Sequence, residues 1–118
     1  MEKYVVSGTL EQMENCFGYM TDKYAEKGYE VAKLRVESAA SPTALLQIRK
    51  TTSLMPKGMC VTLKMSLVES GVCVEVYRGT WYDNQKTAFG CLFDSMYEML
   101  CKSIFLEAIA FFTRRENS

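Results

Sequence analysis

A chain of 118 residues with 48% apolar or aromatic side chains can bury one core without metal or disulfide staples. Fourteen basic and fourteen acidic residues cancel, which excludes the global field that a non-specific nucleic-acid or anionic-membrane binder uses. Histidine is absent, so Ser-His and Cys-His nucleophile pairs and His-ligated metal sites are excluded as well.

In chain order, MEKYVVSGTLEQ holds no apolar h-region, so no signal peptide is expected and the cytosol is the expected compartment. Tyr4, Val5 and Val6 make a short β start, broken by Ser7 and Gly8. A helix follows, with Thr9 and Gln12 spaced as a capping box, Leu10, Met13, Phe17, Met20 and Tyr24 on one stripe, and Gly28 as its stop. The opposite face, Glu11, Glu14, Asp22 and Glu26, is a solvated one.

After Gly28 the apolar period drops to two. YEVAKLRVES sets Ala32, Leu34 and Val36 against Val31, Lys33 and Arg35, and TALLQIRKTT sets Ala44, Leu46 and Ile48 against Leu45, Gln47 and Arg49. SLMPKG interrupts the pattern, and Ala39 to Pro42 forms the earlier turn. MCVTLKMSLV and VCVEVYRGTWY then alternate around Glu69-Ser70-Gly71, a hairpin signal, with Gly79 marking a bulge or strand end. From Asn84 to Arg115 the period is helical again, capped by Asp83 or Asn84 and closed by Arg114 and Arg115. The pattern predicts a single α+β domain over residues 1–118, β-α-β-β-β-β-α in two layers. A four- to five-stranded antiparallel sheet packs on two helices, the C-terminal one long.

That element order resembles the TATA-binding-protein-like and helix-grip folds. Gly79, Trp81 and Asp83 in VEVYRGTWYDN are similar to a segment of small bacterial proteins with the same β-α-β4-α order. The resemblance implies a curved antiparallel sheet around a long C-terminal helix, and it brings no activity, because fold alone does not carry function.

Four site readings follow. A polyanion face would gather Lys33, Arg35, Arg49 and Lys64 with Tyr77 for stacking, but Glu75 shares that face and neutrality disfavours nucleic acid. A small apolar ligand would sit between the sheet and the last helix, lined by Met65, Val74, Val76, Trp81, Phe89, Met96 and Met99. Ordinary core packing competes with that reading in so small a domain. For catalysis, Glu75, Asp83, Asp94, Glu98, Cys73 and Cys91 lack any visible base or orienting partner, so no enzyme and no cofactor is expected. The five cysteines are odd in number and never C-x-x-C, so they are expected as reduced core residues.

The fourth reading concerns SIFLEAIAFFTRR. Continuing the wheel of Asp94, Ser95, Glu98 and Lys102 at about 100° per residue puts Phe105, Ile109 and Phe112 on the previously polar sector and Glu107 on the previously buried one. Either the helix ends or kinks near Ser103, or its last turns leave their own sheet. The expected function is a non-enzymatic interaction module, self-associating or docking a protein through Phe105, Ile109, Phe112 and Arg115, as a bacterial or phage-type inhibitor would. The segment is too short and too interrupted to span a bilayer.

Overall fold

The computed structural model describes residues 2–36, 41–50, 59–78 and 90–116, with side chains in the last stretch from 98 to 114. Its elements are β1 (Glu2–Val6), α1 (Leu10–Glu26), β2 (Glu30–Val36), β3 (Thr43–Lys50), β4 (Met59–Val68), β5 (Gly71–Arg78) and α2 (Gly90–Glu116). The strands form one antiparallel sheet in the order β1-β5-β4-β3-β2. The α+β architecture and element order are those the alternation predicts. Gly79, Trp81, Asp83, Asn84 and Phe89 lie outside the described residues, and so do the side chains of Cys91, Asp94, Met96 and Arg115.

One face of the sheet carries both helices. Ala44, Leu46, Ile48, Val61, Leu63, Met65, Val72, Val74 and Val76 point into it and are buried, together with Met13, Phe17, Met20 and Tyr24 of α1 and Cys101, Ile104, Ala108 and Phe112 of α2. Full burial of one such side chain is worth about 1.5–3 kcal/mol, so this single interface supplies most of the driving force. At one point the helices meet through small side chains, where Cys16 Sγ donates to the Ala108 carbonyl at 3.9 Å. Burial there pushes the Cys16 thiol up to about 12, which keeps it a neutral packing group.

Helix α1 is specified at both ends by local chemistry. Thr9 Oγ1 accepts from the Gln12 amide, and Gln12 Oε1 accepts from the Thr9 amide at 2.8 Å, completing the capping box. At the other end Tyr29 N donates to the Tyr24 carbonyl and Gly28 N to the Ala25 carbonyl, each at 3.0 Å. This is a Schellman closure, with Gly28 at a φ of 90° and the Tyr24 and Tyr29 rings 5.3 Å apart. Gly71, at a φ of 147°, opens β5 after the two-residue turn, and a Cβ there would stand 2.0 Å from the Val6 carbonyl oxygen. The first strand therefore closes on the last, leaving β1 and β2 as the two edges.

Candidate functional site

The sequence pattern gives β2 the wrong face. Lys33 pairs opposite Leu46 and Arg35 opposite Ala44, both core residues, so Lys33 and Arg35 stand on the helix side and Ala32 and Leu34 on the open one. Period-two alternation separates two faces but does not say which is buried. Here β2 is an edge that α1 only partly covers, so cations fit beside the helix: Arg35 ion-pairs with Glu14 and lies 4.9 Å from the Phe17 ring centre. The polyanion face is thereby dispersed. Of its five residues, Arg49, Lys64 and Tyr77 share the open face. Arg49 Nε donates to Glu30 at 2.7 Å, and Glu75 lies 3.6 Å from Lys64 and 3.5 Å from Lys3. Carboxylates already answer the cations that remain there.

The ligand-cavity set separates too. Met65, Val74 and Val76 are packed with no exposure, whereas Met99 points outward at 72% exposure, so it lines no interior space with them. Trp81 and Phe89 fall outside the described residues, as does the side chain of Met96.

Helix α2 does not end at Ser103; it is one element of 27 residues. Its last turns do not leave the sheet either. Helix α2 packs on β5, β4 and β1 and against α1, and Ile104, Ala108 and Phe112 of its last turns are in the common core. Phe112, expected outward, is 2% exposed and packs over Gly8, in the same core as Val72. The buried line is Cys101, Ile104, Ala108 and Phe112. At about 100° per residue, Leu100, Glu107 and Phe111 lie on one flank of that line and Phe105 and Ile109 on the other.

The first flank faces α1, where the Tyr19 and Phe111 rings sit 5.2 Å apart and Lys23 Nζ donates to Glu107 Oε1 at 2.5 Å. Glu107 is thus the α1-facing half of an interhelical ion pair, with Arg114 3.7 Å from its other oxygen. The Lys23 hydrogen bond holds the Glu107 carboxyl below the usual carboxylate range against the opposing effect of burial, and Glu107 in turn raises Lys23. A wheel of α2 alone could not find this partner, because Lys23 is 84 residues away.

The second flank lies on the β1 side. Phe105 and Ile109 are half-buried there, and beyond them Leu106 at 54% and Met99 at 72% exposure continue the apolar surface outward. Tyr4 of β1 pairs opposite the core residue Val74 yet is 58% exposed, because α2 lies over β5 and leaves the outer margin of β1 open. The structure thus places Phe105 and Ile109 on the same side as Met99, expected in the ligand cavity, and two residues missed as site candidates, Tyr4 and Leu106. On α2 the signal was the seven-residue spacing of Met99 and Leu106, on a face that also carries Lys102 and Thr113. Among the described residues, no helix is long and apolar enough to cross a membrane. Comparison with protein-family models, curated proteins and solved structures finds no match.

Proposed function

We propose that the chain is a non-enzymatic protein-interaction module of the cytosol that engages another protein surface along the outward flank of α2. The observation that supports this reading is the exposure of Met99 and Leu106 beside half-buried Phe105 and Ile109. Large side chains are held in the open on a helix whose other faces are satisfied by sheet and by ion pairs. Large apolar side chains clustered on one exposed flank, here with Glu98, Lys102 and Thr113 among them, mark contact sites more often than isolated exposed residues do.

Peroxide oxidation of Met99, read by peptide mass, tests the proposal, because an exposed thioether oxidises readily and a covered one does not. Protection of several-fold inside cells relative to dilute purified protein is the expected result. Equal rates in both settings would remove the reading.

A further inference from the structure

We infer that the surface covering this flank is a second copy of the same chain, joined through β1 about a two-fold axis normal to the sheet. This rests on the α2-flank reading and adds the occupant, the seam and the register.

The backbone edge of β1 opposite β5 pairs with no strand among the described residues. A two-fold normal to the sheet sets two β1 strands antiparallel with helix side against helix side, so opposed residues point the same way. Pairing all five residues requires Tyr4 on the axis, Lys3 against Val5 of the copy, and Glu2 against Val6. No like charges then face each other. A slip that centres the pair on Lys3 sets two ammonium groups opposite each other, which is destabilising. The other edge behaves oppositely: full overlap of β2 with itself centres on Lys33, opposing two cations and leaving Arg35 close by. Charge therefore selects β1, and zero net charge adds no long-range repulsion between copies.

The helices fit the same axis. With α2 over β5 and strands about 4.8 Å apart, the two α2 helices run about 14 Å apart across the seam. That exceeds the 8–10 Å of direct helix packing and leaves a trough for Tyr4, Phe105 and Ile109 of both copies. The seam is about 17 Å long for five strand residues and no taller than the 22 Å short dimension of the molecule. That is about 400 Å² per partner, half of the ~800 Å² of a standard interface. The dimer is accordingly a concentration-dependent one.

Sedimentation equilibrium of the full chain tests this. Wild type is expected to rise from 13.4 kDa to twice that mass and no further. Tyr4→Lys, at an exposed position, should weaken dimerisation at least tenfold with an unchanged circular-dichroism spectrum. Leu34→Asp, on the opposite edge, should leave the dimer constant within twofold. Tyr4→Cys should give, under mild oxidation, a disulfide between two copies of the residue-4 peptide. A monomer at about millimolar concentration, growth beyond the dimer, sensitivity to Leu34→Asp, or no such disulfide in a dimer overturns the inference. Protection of Met99 in cells alongside a stubborn monomer would leave the docking reading standing and remove only the second copy.

Discussion

β1 and β2 are the two edges of one sheet, and each holds one large apolar side chain at the same exposure, Tyr4 and Leu34 at 58%. Their surroundings differ. Leu34 stands on the open face, and Lys33 and Arg35 flank it in sequence on the helix side, the latter ion-paired to Glu14 of the helix beside the edge. Beside Tyr4 lies the flank of α2 with Phe105, Ile109 and Leu106. An edge strand is protected from pairing by charge placed where a partner strand would lie; β2 carries two cations on its helix side, Lys33 and Arg35, whereas β1 carries one carboxylate there, Glu2 at its end. Exposure of a single residue thus says little about association; the neighbours on the adjoining layer decide it.

The sharpest way to break this comparison is to substitute along α2 itself. Phe112 fills the space over Gly8 and Val72, so Phe112→Ala should cost about 3–5 kcal/mol, lost contact plus cavity. Leu106→Asp, two turns away on the exposed flank, should change stability by less than about 0.5 kcal/mol. Urea denaturation of both variants decides the matter. Comparable losses would mean that the β1-side flank is core and that both edges are closed.

A smaller effect comes from the contact that fixes the phase of α2. Glu107→Gln keeps the shape but removes the charge that Lys23 answers, and should cost about 1 kcal/mol at neutral pH. The Glu107 pKa is depressed in the folded state. Its contribution is therefore present above the unfolded value of about 4.3 and is lost as pH falls through the lower folded value. Lys23 is raised, so its share holds below about 10.4 and fades as pH climbs through the folded value. The difference in stability between wild type and Glu107→Gln should be flat from about pH 5 to 10 and shrink below pH 4. A difference independent of pH would assign the effect of the substitution to packing.

The strands, the capped α1 and the long α2 were legible because each is written in local periodicity and cap chemistry, as Thr9, Gln12 and Gly28 show. Two things were not. The orientation of β2 depends on a register with β3 that local alternation leaves open by one residue. The role of Glu107 depends on Lys23 of α1, a partner that only the packed helices reveal. The wheel found an anomaly in the segment and expected Phe105, Ile109 and Phe112 to point away from the sheet; Phe105 and Ile109 are half-buried, whereas Phe112 is core. It treated α2 as packing on a sheet alone, whereas α1 supplies a second buried side and widens the arc that belongs inside.

A substitution of small energetic effect carries the most direct test of why the two edges differ. Lys33→Thr with Arg35→Thr removes both cations from β2 and substitutes a residue suited to strands. The lost Arg35 to Glu14 pair is solvent-exposed and should cost no more than about 1 kcal/mol. The double variant is expected to stay folded, and with both cations gone from its helix side β2 no longer opposes like charges when it pairs with a copy of itself. Light scattering should then show species larger than a dimer, since a chain with two permissive edges propagates where a chain with one closes. If the mass distribution of the double variant matches wild type, charge is not what keeps β2 unpaired. The shape of the α1 margin would then have to explain the asymmetry between the edges.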